Sequence, residues 1–257
     1  MDDIHPRRYL YGFLWLGLIA ALAFLIAGGM PWLARQIPLS WETSLLHALG
    51  DPLSMMPVCE PSSSASEENF LKLVKRLYPL DREEALHPIT VHFVQQNEVN
   101  ALAFLGGNIY VFEGLLQQAQ TPEELSAVLA HEIEHIKRRH VIDGLVSHFL
   151  FSLLSFWAGG SGNIEFLKQM MAMRFTRSQE EEADTGALDR LKRAKISKEG
   201  FKDFFLRMES NTEFRAIFSD HPSSITRAKL AQESSNYPTT AVLTRDEWKW
   251  VKQACSF

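Results

Sequence analysis

The sequence predicts an α+β fold, mainly helical, with a small antiparallel sheet and an N-terminal transmembrane helix. Three observations carry that expectation: an uncharged apolar run at the N-terminus, two short apolar runs around Gly106-Gly107, and helical spacing from Thr121 through most of the remainder. The 257 residues are 46% hydrophobic and 22% charged, enough to bury a core, which excludes a disordered chain. With a net charge of −5 and no Lys/Arg block interleaved with aromatics, nucleic acid is excluded as a partner.

The run Tyr9 to Met30, "YLYGFLWLGLIAALAFLIAGGM", is long enough as a helix to span a hydrocarbon core of about 30 Å. A cleaved signal peptide is the competing reading, since Arg7 and Arg8 precede the run and Ala27, Gly28 and Gly29 close it. A signal's apolar region is only about 7–15 residues, so a retained anchor is preferred. The arginines before it, with only Arg35 close after it, put the N-terminus inside and the body outside. In that orientation the remaining chain would face the periplasm, as at a bacterial inner membrane, or an equivalent outside space.

Residues 1–30 are thus expected to be the anchor, 31–63 a linker or pre-domain without sustained period, and 64–257 the main domain. "PSSSASEE" leads into a capped helix in which Phe70, Leu71, Val74 and Leu77 share a face. "ITVHFV" from Ile89 and "NALAFLGGNIYVFEG" give the strands and their hairpin. "GLVSHFLFSLLSFWAGG", 144–160, is about a turn short of a comfortable span. It reads as a buried core helix, with a membrane-dipping or interfacial segment as the alternative. Cys59 and Cys255 are too few for a thiolate cluster, and leave open one bridge or two unpaired thiols.

Thr121, Pro122 and Glu124 sit where an N-cap, an N1 proline and a capping-box glutamate would start a helix over "TPEELSAVLAHEIEHIKRRH". At about 100° per residue, His131 and His135 lie about 40° apart, so both imidazoles can reach one cation, whereas His140 lies about 140° from His135. A hydrolytic zinc site takes three protein ligands and leaves a position for water, so a third must come from elsewhere. Glu132, beside the first histidine, can take that water's proton without occupying the metal. The bland alternative is an ion-paired helix face that spells the same letters by chance.

Downstream, "RSQEEEADTGALDRL" is again helical. Glu180 and Asp184 are four apart and share a face, so one carboxylate can coordinate while the other accepts a hydrogen bond from a ligand imidazole. Glu181 and Glu182 read as a solvated acidic face.

"HEIEH" followed by "EEEAD" resembles the zinc metalloendopeptidases of the HtpX and CAAX prenyl protease family, peptidase family forty-eight. Their gluzincin site has two histidines and a glutamate in an ExxAD stretch. The resemblance implies a zincin-like domain binding one Zn²⁺ through His131, His135 and Glu180, with Asp184 behind a ligand. "NEVNALAFLGGNIYVFEGLL" resembles the family's NAFALPGG strand and hairpin, which makes Ala101, Leu102, Ala103, Phe104 and Leu105 the candidate substrate-binding edge. "DHPSSITR" resembles its HP motif; His221 and Arg227 would lie near the metal, where either could stabilise an oxyanion, or His221 could fill the fourth position and keep the enzyme latent. Glu134 stands where glycine is usual, an extra charge expected to bear on substrate preference, and Leu105 where proline is usual.

The resemblance covers roughly Glu67 to Leu230 and implies a membrane-anchored zinc endopeptidase acting on polypeptides, in quality control of misfolded membrane or envelope proteins. The alternative is a membrane-tethered zinc-binding chaperone or a latent protease.

Overall fold

The site-bearing helix is buried nearly all round. In the computed structural model, which describes residues 6–24, 30–49, 56–79, 89–146, 172–210 and 224–255, every residue from Glu124 to Ile136 of that helix is buried. Chain order runs α1 (Pro6–Phe24), α2 (Met30–Arg35), α3 (Leu39–Leu49), β1 (Val58–Cys59), α4 (Ser64–Leu77), β2 (Thr90–Val94) and β3 (Ala101–Phe104). It continues with β4 (Asn108–Phe112), α5 (Glu113–Gln118), α6 (Pro122–Lys137), α7 (Arg177–Arg193), α8 (Glu199–Ser210), α9 (Ser224–Glu233) and α10 (Arg245–Lys252).

The sheet corrects one expectation: it is mixed, not antiparallel. Its order is β1-β2-β4-β3, with β2 and β4 parallel and the β1–β2 and β3–β4 pairs antiparallel. The reason lies in β4, where Ile109, Tyr110, Val111 and Phe112 are all buried and so take a central position. The β3–β4 hairpin folds back over a 3-10 turn at Leu105–Gly107, leaving β3 at the edge. Gly106 and Gly107 adopt φ of 71° and 80°, a left-handed region glycine enters freely.

Helix starts follow the capping chemistry. The Ser63 hydroxyl caps α4, whose buried face is Phe70, Leu73, Val74 and Leu77; Leu71 is exposed. Thr121 caps α6 with Pro122 in the first turn. Glu124 accepts from the Gln120 amide at 2.7 Å and takes a two-pronged contact from Arg207 at 2.6 and 2.5 Å. Core residues of α6 such as Leu125, Val128, Leu129 and Ile133 pack against α7, α8 and β3. Each such burial contributes about 1.5–3 kcal/mol.

The expected linker 31–63 is more structured than its composition suggests. Helix α3 lies on the hairpin turn, where Glu42 accepts from the Gly106 amide at 2.9 Å and pairs with Arg139 at 2.6 Å. Strand β1 joins the sheet, and Cys59 is bridged to Cys255. The Cα atoms lie 5.4 Å apart and 196 positions apart in sequence, so the bond ties the sheet to the turn that follows α10. Replacing both cysteines by serine is expected to lower unfolding free energy by about 2–5 kcal/mol, since the closed loop restricts the unfolded chain. Denaturant midpoints of the two proteins check it.

Large apolar side chains of α1, among them Phe13, Trp15, Leu16 and Ile19, are exposed. Among the described residues, no helix is long and apolar enough to cross a membrane. Residues 25–29 of the expected anchor, and 147–160 of the second apolar stretch, lie outside the described residues.

Candidate metal centre

Two helices face one another across the site. α6 supplies His131, Glu132 and His135; the first turns of α7 supply Glu180 and Asp184. Thr176 and Gln179 form a capping box that starts α7, and the Gln179 amide nitrogen donates to Asp143 at 3.0 Å, fixing that start against the helical stretch at 140–146.

The Nε2 atoms of His131 and His135 come within 2.9 Å of each other. Glu180 approaches both: Oε2 lies 3.5 Å from His131 Nε2 and Oε1 3.5 Å from His135 Nε2. All three residues are buried, and one donor atom from each lies within 4.8 Å of the others. Two imidazole nitrogens and one carboxylate oxygen meeting away from water are the donors a divalent transition metal takes. This group therefore fits such an ion, and the expected three-residue cluster is brought together.

Asp184 stands behind the first histidine, with Oδ1 2.9 Å from His131 Nδ1. Burial disfavours the Asp184 carboxylate, but Arg227 and His131 outweigh it and hold its pKa below the ordinary value. For His131, burial and then Arg227 oppose the imidazolium, yet Asp184 and Glu180 together push it up to about 9 in the metal-free protein.

Arg227, from α9, is buried and donates through Nε at 2.8 Å and Nη2 at 2.6 Å to Asp184 Oδ1, while its guanidinium carbon sits 3.9 Å from the Phe205 ring centroid. Its Nη2 also lies 2.8 Å from His131 Nδ1 and 3.1 Å from His131 Nε2, so Arg227 is placed beside the donor cluster, as expected. His221 lies outside the described residues.

Glu132 does not enter the donor cluster. Its Oε2 accepts from the Ala103 backbone N–H at 2.8 Å. Ala103 and Ala101 occupy the non-hydrogen-bonded positions of the β3–β4 pair, so their amides face away from β4. One donor of the candidate substrate edge is thus already engaged by the glutamate. Along Ala101–Leu105, only Leu102 is partly exposed.

A model of peptidase family M48 matches residues 72–235. The chain belongs to that family. Among the relatives of this M48 chain is the Protease HtpX homolog of a Sulfurovum species, 26% identical over 89% of this chain and 90% of its own length. The Putative beta-barrel assembly-enhancing protease of Vibrio cholerae is 29% identical over 54% of this chain and 32% of its own. Metalloprotease LoiP of Escherichia coli is 29% identical over 55% and 61%. The M48 chain thus spans about a third of the assembly-enhancing protease it matches.

Three features of the M48 site escaped the sequence. α6 ends at Lys137, and Arg139, at φ 65°, turns the chain so that His140 Nδ1 lies 3.1 Å from His135 Nδ1. Burial pushes the His140 imidazole down to about 4 against the opposing charge of Glu182. Phe175 stacks on His135 with ring centroids 3.8 Å apart. Glu134 faces not the cleft but Arg190, at 2.6 Å, so its charge is matched inside the α6–α7 interface. An arginine in left-handed backbone leaves no sequence signal, and a helix continued through it places His140 on the wrong side.

Proposed function

We propose that this chain is a zinc-dependent endopeptidase that hydrolyses peptide bonds in misfolded membrane or envelope proteins. The observation that carries the reading is the buried meeting of His131, His135 and Glu180, with Glu132 next to it but outside it. His131, His135 and Glu180 would hold the ion. Zinc, when bound, supplies a Lewis acid for the scissile carbonyl and lowers the pKa of water toward about 7.

The chain's own groups do the rest. Glu132 takes the proton of the attacking water and delivers it to the leaving amine, with the Ala103 amide fixing its carboxylate. Asp184 holds the His131 proton on Nδ1, and Arg227 holds Asp184. Strand β3 remains the candidate edge for an extended substrate, offering the outward groups at Ala101 and the Ala103 carbonyl.

The apolar run Tyr9–Met30 is proposed as the membrane anchor, supported by the exposed apolar side chains along α1. The Cys59–Cys255 bridge supports an oxidising location, and so a domain outside the inner membrane. The names of the assembly-enhancing relatives agree with an envelope role.

The deciding experiment is degradation of unfolded casein by the purified full chain, with metal analysis of the same sample. About one zinc per chain, and cleavage lost to a chelator and restored by zinc, is expected. Zinc held without cleavage would instead point to a membrane-tethered zinc-binding chaperone or a latent protease, which His221→Ala separates by whether cleavage then appears, and no zinc at all would end the metal-centre reading.

A further inference from the structure

We propose that His140 is a positioning residue for the metal centre: its Nδ1 accepts the Nδ1–H of His135 and so keeps His135 Nε2 open to the ion. The inference rests on the metal-centre reading above. Neutral imidazole carries one N–H, so a ring that gives its Nε2 lone pair to a metal must carry the proton on Nδ1, where an acceptor fixes it. For His131 that acceptor is Asp184 at 2.9 Å. His135 turns Nε2 to the site and Nδ1 to His140, 3.1 Å away.

For His140 to accept there, its own proton must sit on Nε2. Glu182 Oε2 lies 3.6 Å from that atom, beyond hydrogen-bond distance, so the carboxylate favours this tautomer through its charge alone. The two ligand histidines are thus oriented by different chemistries, one by a carboxylate and one by a second imidazole.

The backbone supports the placement. Arg139 makes the left-handed turn, pairs with Glu42 at 2.6 Å and donates to the Ile37 carbonyl, while its own carbonyl accepts from the Asp143 amide at 3.0 Å. His140 is fully buried, and the Phe175 ring lies nearly parallel to His135 at 21°, limiting rotation of the ligand ring. Helix α3, through Glu42, helps to hold the turn on which His140 depends.

The test compares the full-length protein with His140→Asn, whose amide oxygen can stand where Nδ1 stood, and His140→Leu, which fills the space without an acceptor. The readout is zinc affinity by chelator competition, beside the melting temperature of the metal-free proteins. His140→Leu is expected to bind zinc about 10–100-fold more weakly, and His140→Asn to stay near wild type. Wild-type affinity in the leucine variant, or equal loss in both variants, overturns the proposal. Wild type that takes up no zinc fails the metal centre itself. If the leucine variant does not fold, ¹⁵N spectra of the zinc-loaded wild type decide: a His135 Nδ1 proton that shows no hydrogen-bond coupling to His140 Nδ1 overturns the assignment.

Discussion

Glu132→Gln is expected to lower casein hydrolysis by about 10²–10⁴-fold, the usual contribution of a positioned acid–base group. Zinc content should not change. The two expectations come from different atoms. Glu132 is buried and accepts from the Ala103 amide at 2.8 Å, a bond that the carbonyl oxygen of glutamine can also accept. The substitution therefore preserves shape and the anchoring of β3, and removes only the capacity to carry a proton. The metal donors are His131, His135 and Glu180, and none of them is altered. Initial rates and metal content of the two proteins, measured side by side, check it. Equal rates would remove Glu132 from the chemistry. Loss of zinc together with rate would mean that the glutamate maintains the cluster rather than serving as its base.

The pairs that meet at the site were legible in local periodicity, while the choice of Glu180 over Asp184 as the third donor came from the family resemblance. A spacing of four on a capped helix brings His131 and His135 together whatever surrounds them, and the same spacing joins Glu180 to Asp184. The capping of α6 by Thr121 and Pro122 is equally local. What stayed hidden depends on partners far along the chain. Glu42 meets Gly106 and Arg139 across 64 and 97 positions, so helix α3 is written nowhere in the composition of 31–63. The mixed sheet follows from which strand is buried on both faces, and alternation within "ITVHFV" cannot reveal its neighbour. His140 stays out of the donor cluster, as its spacing predicts, but its place behind His135 was hidden, because one residue, Arg139, leaves the helical region and a single φ of 65° redirects everything after it.

Glu134 is where the resemblance and the structure pull apart, and it yields the largest expected change in stability. Restoring the family's usual residue with Glu134→Gly is expected to destabilise this chain by about 3–5 kcal/mol, because removing one member of a buried ion pair strands the other. Arg190 is 1% exposed and donates to Glu134 Oε1 through Nη2 at 2.6 Å and Nε at 3.1 Å, and Arg138 donates to Oε2 at 3.1 Å. The opposing helix has made room: a Cβ on Gly186 would lie 2.3 Å from Glu134 Oε2. Glycine within α6 adds about 0.5–1 kcal/mol of its own. At about 2–4 °C per kcal/mol, the two contributions together should lower the melting temperature by roughly 7–24 °C. Glu134→Gly combined with Arg190→Met should recover part of the loss, since the stranded guanidinium is removed while the space left by the glutamate stays unfilled. A double-mutant cycle reads that coupling directly. A single variant within about 1 kcal/mol of wild type would show that the pair contributes little. Because the carboxylate faces Arg190 rather than the cleft, the variant's cleavage pattern at a temperature where it is folded should match wild type. A shifted pattern would return Glu134 to the substrate.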